Sequence, residues 1–273
     1  MATIITFGNF KGGTGKTTNS TMVSYTLSKL GKKTLFIDLD PQGNGTSLFL
    51  KTMQKRLTEP VIVTETLMTA IAKKDLKSAI LSVNEYLDFV PSGVDLTSFP
   101  LYLEKEYPQN YSLRTQLLKS LIAPIKDDYD YVIFDVPPTV SLYTDNALVA
   151  SDYTVVVLQT QERSLDGARA YIMYLNTLIS NFDADFDILG ILPVLLKNSS
   201  TVDNSVLDTA HEEFGDDNML KTVIKHMERL KRYDVIGISD PDYDANADIH
   251  DKRVFSLYNE CTNELLERLG DTK

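Results

Sequence analysis

Residues 11–17 read Lys11-Gly12-Gly13-Thr14-Gly15-Lys16-Thr17 and follow closely on a short apolar run, Ile4-Ile5-Thr6-Phe7. A buried strand that ends in a glycine-rich turn and feeds a helix aims backbone N–H groups and the positive end of a helix dipole at one spot, and that spot is a phosphate site. Glycines are required because side chains would keep the backbone away from phosphate oxygens. Lys16 is placed to reach the β and γ phosphates of a nucleoside triphosphate, and the Thr17 hydroxyl to ligate Mg²⁺. The plain alternative is a surface turn with two lysines. A strand before the turn and a helix after it argue against that.

The general phosphate-loop pattern, G-x-x-x-x-G-K-[ST], is not met in full. Phe10 stands at its first glycine position, and an extra lysine, Lys11, opens the turn. A second lysine has no obvious room beside the β–γ position of the same nucleotide. It either reaches phosphates held by a second subunit or faces solvent.

The bulk numbers narrow the class. A chain of 273 residues with 43% hydrophobic content can fill a core, and one domain over residues 1–273 is the expectation, since no Pro-, Gly- or Ser-rich linker or internal repeat divides it. No apolar run is long enough to span a membrane, and no basic-then-apolar leader precedes the first strand. Cys261 is the only cysteine, so no disulfide forms within the chain, and a reducing cytoplasm is expected. The net charge of −11 argues against a surface coated in cations for nucleic acid, but leaves room for a local basic patch. No cluster of histidine, cysteine and acid suggests zinc.

Apolar runs and helical periodicities alternate along the chain, which predicts a mostly parallel sheet covered on both faces by helices. Strands are expected at 3–7, 34–37, 87–90, 131–134, 154–158, 188–196 and 221–224. Helices are expected at 16–30, ending before Gly31, across most of 48–82, in patches over 96–122, after 160, at 202–214, and at the C-terminal end. The stripes Leu165, Ala168, Ile172, Leu175, Ile179 and Val254, Leu257, Tyr258, Cys261, Leu265, Leu269 mark the inward faces of two of these.

Two more strand ends carry acids. Asp38 and Asp40 follow Phe36-Ile37, and Asp135 follows Tyr131-Val132-Ile133-Phe134. Ligands of open α/β sheets sit at this carboxyl edge. Three such tips, one with the phosphate loop, point to a single nucleotide site. As alternatives, Asp38 caps a turn and Asp135 simply ends a strand.

In KGGTGKTT (11–18), FIDLDPQGN (36–44), DVPP (135–138), DNAL followed by ASD (145–152) and VVVLQTQERSLDG (155–167), the chain resembles the ParA/MinD superfamily of P-loop ATPases with a deviant Walker A box. It is most similar to ParA-type partition ATPases of the short class, which have no N-terminal DNA-reading domain. The resemblance covers about residues 3–45 and 128–230 and, more loosely, the last helix. It implies that Gly12, Gly13, Thr14 and Gly15 cradle phosphates, that Lys16 stabilises the β and γ oxygens, that Thr17 ligates Mg²⁺ and that Thr18 contacts the α phosphate. It further implies that Lys11 acts on the nucleotide of a dimer partner, that Asp40 orients the attacking water, that Asp38 supports Mg²⁺ or the loop, and that Asp135 holds Mg²⁺ through water. Asn198 either meets the adenine or caps a helix.

Between Lys221 and Arg232 the chain carries Lys221, Lys225, His226, Arg229, Lys231 and Arg232 against Glu228. Lys225, Arg229, Lys231 and Arg232 form either a patch that grips DNA phosphates without reading sequence or a solvated helix face. Lys225 and His226 stand where the family usually has proline and arginine, and the acidic stretch 238–251 is longer than the resemblance leads one to expect.

The function implied is an ATP- and Mg²⁺-dependent ATPase that segregates DNA. ATP would close a homodimer that coats nonspecific DNA on the nucleoid, and a ParB-type centromere-binding partner would stimulate slow hydrolysis. A MinD-like membrane-cycling ATPase needs a basic amphipathic tail, whereas Glu260, Glu264, Glu267 and Asp271 here oppose Arg268 and Lys273. A metabolic enzyme on the same fold is the third reading. Its reductase form needs interface cysteines that the chain does not carry.

Overall fold

The computed structural model describes residues 1–182, 184–196 and 201–271. The strands are β1 (Thr3–Gly8), β2 (Thr34–Asp38), β3 (Leu81–Asn84), β4 (Leu87–Val90), β5 (Tyr131–Asp135), β6 (Tyr153–Gln159), β7 (Asp187–Leu196) and β8 (Ile224–Lys225). The helices are α1 (Lys16–Lys29), α2 (Asn44–Gln54), α3 (Leu67–Lys73), α4 (Phe99–Glu106), α5 (Tyr111–Thr115), α6 (Leu117–Ile122), α7 (Leu142–Ala150), α8 (Glu162–Phe182), α9 (Thr201–Phe214), α10 (Glu228–Ile236) and α11 (Ile249–Arg268).

The strands form one sheet in the order β3-β4-β2-β5-β1-β6-β7-β8, parallel throughout except for the β3–β4 pair. This is the expected mostly parallel sheet with helices on both faces. Alternation along the strands divides the core. Ile5, Phe7, Phe36, Ile133 and Val155 face α1, α2, α10 and α11. Ile4, Leu35, Ile37, Val132 and Phe134 face the layer that holds α3, α4, α6 and α7, while Val156, Leu158 and Ile191 pack on α8 and α9.

The stretch 48–82 departs from the helical expectation. α2 ends at Gln54, residues 55–66 are irregular, and Leu81–Asn84 is a strand hairpinned to β4. Pro60 removes a backbone donor, and Val61-Ile62-Val63-Thr64 is a β-branched run with poor helix propensity. The short strand expected at 221–224 is Ile224–Lys225, beyond which the basic segment forms its own helix, α10. Ile179, expected on an inward stripe, is exposed. Gly31 does close α1, at φ 74°.

The order β2-β5-β1 sets the three chemically marked strand tips side by side. Asp135 is in register with Asp38 on one flank and with Phe7, just before the glycine turn, on the other.

Candidate active site

The glycine turn leaves β1 and enters α1 at Lys16. Gly13 and Gly15 have φ of 75° and 84°, in the left-handed region where a Cβ is strained. Asn9 ties the turn to the sheet: its amide donates to the Val157 carbonyl at 2.9 Å, and its Oδ1 accepts from the Lys11 N–H at 2.8 Å. Helix α8 then comes against the loop at Gly167, where a Cβ would lie 2.7 Å from Asn9 Oδ1 and 3.0 Å from Lys11 Cβ. Phe10 packs edge-on against Tyr171 and Tyr174 of α8, with ring centres 5.1 and 5.4 Å away. At the position where the general pattern has glycine, this chain therefore has an apolar anchor. From α11, Tyr258 donates to Asn19 Oδ1 at 3.0 Å, and the Asn19 amide holds the Gly15 carbonyl at 2.8 Å.

Asn9, Gly167 and Tyr171 were not singled out from the sequence, and Tyr258 was read only as a core position, without its bond to Asn19. Gly167 carried a usable signal, since glycine inside a helix costs about 1 kcal/mol and calls for a packing reason.

The Lys16 ammonium lies over the turn, 3.2 Å from the Lys11 carbonyl. Burial pushes its pKa down to about 8, against the pull of Asp135 and Asp40. Lys11 is half-buried and folds back, its Nζ donating to the Gly12 carbonyl at 2.8 Å. The Thr14 side chain is fully buried, and its hydroxyl has no partner among the described residues.

The three acids differ. Asp38 is fully buried; its Oδ2 accepts from the Thr46 N–H and hydroxyl, both at 2.8 Å, and its Oδ1 from the Asp40 N–H at 3.1 Å. It does not line the cavity above the turn. Of its two expected roles, Mg²⁺ support and loop support, this geometry fits the second. Asp40 lines the cavity, with Oδ1 accepting from the Gln42 N–H at 2.9 Å and its carbonyl held by Ser92 Oγ at 2.8 Å. Asp135 is fully buried with Oδ1 accepting from Ser20 Oγ at 3.2 Å, and its Oδ2 has no hydrogen-bond partner among the described residues. Its pKa is raised, first by burial and then by the facing Asp38, while the Thr17 hydroxyl and Lys16 oppose the shift. A buried carboxylate oxygen with no partner is costly. With Thr17 beside it, it supplies the hard oxygen donors that Mg²⁺ takes. The residues present therefore fit a Mg²⁺ ion at Thr17 and Asp135.

The cavity over the turn measures about 650 Å³ and is lined by Gly13–Thr18, Asp40, Gln42, Lys51, Pro138 and Asp234. A larger one, about 870 Å³, opens at the opposite edge, at the start of β6 and β7, and holds none of the loop residues. The phosphate loop and Asp40 line the smaller one, whereas Asp135, like Asp38, is not on its lining. Asn198 lies outside the described residues.

The basic segment is only partly free. Arg229 is withdrawn from the expected patch: its side chain is 10% exposed and pairs with Asp248 and with the buried Asp251, at 3.4 Å from the latter. Lys225, Lys231 and Arg232 remain exposed, Lys231 with Glu228 at 3.0 Å. The acidic stretch after α10 is a strap. Asp240 and Asp242 hold Lys29 of α1, and Asp244 holds Lys55 after α2 at 3.0 Å. Among the described residues, no three His, Cys, Asp or Glu side chains converge as a metal site.

A family model described as an AAA domain matches residues 2–188. The sporulation initiation inhibitor protein Soj of Bacillus subtilis is 32% identical over 230 residues, which is 84% of this chain and 87% of Soj. A McdA variant from Cyanothece, solved in complex with ATP, superposes with a TM-score of 0.78 at 21% identity, over 100% of this chain and 98% of that one. Cobyrinic acid a,c-diamide synthase from Mycobacterium smegmatis, solved with an ATP analogue and magnesium, gives a TM-score of 0.74 at 22% identity, over 98% and 96%. The two structures share the fold, and the Soj match carries the family.

Proposed function

We propose a function from one premise: the chain belongs to the AAA-domain family that includes the Soj/ParA-type chromosome-partitioning ATPases. It binds ATP and Mg²⁺ in the cavity over the glycine turn and hydrolyses ATP as a switch for DNA segregation. The observation that carries this is the unpartnered, fully buried Oδ2 of Asp135, set beside Thr17 and beneath a two-lysine phosphate loop.

Each role follows from position. The N–H groups of Gly12 to Thr18 and the start of α1 receive the phosphates, and Lys16 neutralises the β and γ oxygens. Thr17 and Asp135 hold Mg²⁺, which when bound offsets the charge that grows as the terminal phosphate departs. Asp40, at the cavity wall and fixed by Gln42 and Ser92, orients the attacking water. Asp38 keeps the 38–46 loop in shape. Lys11 swings off the Gly12 carbonyl and reaches the nucleotide of a second copy, so that ATP favours a homodimer by contacts made only in the closed state. That dimer holds nonspecific DNA on the nucleoid of the cytoplasm, and a ParB-type partner stimulates hydrolysis.

The membrane-cycling reading is disfavoured. Val254, Tyr258, Cys261 and Leu265 of α11 are buried against the sheet, so the apolar stripe of the last helix is not free for a bilayer. No helix among the described residues is long and apolar enough to cross a membrane. For a synthetase the turnover would need a second small substrate.

Sedimentation with ADP and with a non-hydrolysable ATP analogue, each with and without duplex DNA, tests the reading. A dimer with the analogue alone, and DNA co-sedimentation only in that state, is expected. A chain that stays monomeric and free of DNA with the analogue overturns it.

A further inference from the structure

A cluster of basic side chains lies in a cleft of about 450 Å³ between α10 and the first turns of α11. The cleft is lined by His226, Arg229 and Arg232 on one side and His250, Arg253 and Val254 on the other. Two of the three histidines of the chain are here. The ion pairs of Arg229 with Asp248 and Asp251 do not fill the cleft. They link the start of α11 to α10, and Arg232 and Arg253 both line the cleft between the two helices. Neither Arg232 nor Arg253 has an ion-pair or hydrogen-bond partner among the described residues. Glu228, the acid on the lining, is engaged by Lys231 and lies 3.6 Å from His226. Gathering unpaired guanidinium groups at one cleft raises the local potential, and an anion relieves it. Guanidinium groups offer forked N–H donors matched to phosphate oxygens.

We propose that this cleft seats a backbone phosphate of duplex DNA, with Arg253 and His250 of α11 as contacts alongside Arg232 and His226 of the α10 side. The inference rests on the DNA-binding reading above and adds α11 residues that lie outside the basic run 221–232. It also changes the shape of the contact, from an open helix face to a two-sided cleft. The same chemistry would admit a free phosphate, and the experiment separates the two.

Binding of a short mixed-sequence duplex is followed by fluorescence anisotropy across a salt series, with the non-hydrolysable ATP analogue present, for the unaltered chain, Arg253→Glu and Arg253→Lys. Arg253→Glu is expected to lose about tenfold or more in affinity and to lower the slope of log affinity against log salt by about one, with ATP affinity and dimer sedimentation unchanged; Arg253→Lys keeps most of the binding. If the unaltered chain binds DNA and Arg253→Glu binds equally with the same slope, the inference fails while the DNA reading stands. If the unaltered chain does not bind DNA, that reading fails, and inorganic phosphate is titrated while the His226 and His250 ring signals are followed by NMR. Shifts that disappear in Arg253→Glu leave a small-phosphate cleft, and unmoved signals overturn the inference altogether.

Discussion

Asp38 and Asp135 sit directly opposite one another on β2 and β5, both with no solvent exposure. The pKa values of both carboxyls are raised, mainly by burial; Asp38 adds to the shift at Asp135, and Asp40 to that at Asp38. The nucleotide-free chain thus stores unfavourable electrostatics at the point where Mg²⁺ is expected.

A pH dependence follows from that pair. An ordinary carboxyl titrates near 4 in an unfolded chain. From about pH 4 up through the raised native values, the folded chain holds protons that the unfolded chain has released, so stability falls as pH rises. Each such group contributes at most about 1.4 kcal/mol per pH unit. Thermal melts without nucleotide are expected to show Asp135→Asn gaining on the unaltered chain as pH rises across this window. Mg²⁺ with ATP should flatten the dependence of the unaltered chain, because the cation favours the ionised carboxylate. A constant offset between the two melting curves at all pH values would contradict the buried-pair account.

The two lysines of the turn should separate on mutation. Lys16→Ala removes the cation over the phosphates and is expected to abolish nucleotide binding or turnover. Lys11→Ala should leave ATP affinity of the monomer unchanged but lower dimer-dependent turnover, by on the order of 10³ if Lys11 acts as a charge supplied in trans. Equal loss of monomer affinity in both variants would place Lys11 on its own nucleotide.

Helix α8 sets the height of the loop through Gly167. In Gly167→Ala the new Cβ would press on Asn9 Oδ1 and Lys11. Alanine favours the helix by about 1 kcal/mol, which offsets part of the clash, so overall stability should change little. Nucleotide affinity should fall, by roughly tenfold, or 1.4 kcal/mol, since loop position is coupled to phosphate contact. Calorimetric titration with ATP checks this, and an unchanged affinity would show that the loop yields freely.

The phosphate loop and the two acid-bearing strand tips were legible because each is a local pattern: an apolar run, then a turn or an acid. The layer order followed from alternating strands and helices. What stayed hidden depends on distant partners. Asn9 gains meaning only from Val157 and Lys11, and Phe10 only from Tyr171 and Tyr174. The irregular 55–66 stretch lies between helical segments whose lysines and glutamates suggested continuity, while the β-branched run and Pro60 broke it. Arg229 looked like its basic neighbours because the acids that neutralise it, Asp248 and Asp251, come some twenty residues later.

Arg229 and Arg232, three residues apart on α10, should therefore behave as different kinds of residue. Arg229→Ala leaves the fully buried Asp251 without its cation and frees the Asp248 cap of α11. Breaking a buried pair from one side costs about 3–5 kcal/mol, and the partly exposed Asp248 limb of this one moderates the loss toward the lower figure. Arg232→Ala touches no ion pair and should leave stability within about 0.5 kcal/mol, while weakening DNA retention and its salt dependence. Urea unfolding of the two variants reads the difference. If both unfold at the midpoint of the unaltered chain, Arg229 does not brace α11, and its loss can be counted with that of Arg232 in any measurement of DNA binding.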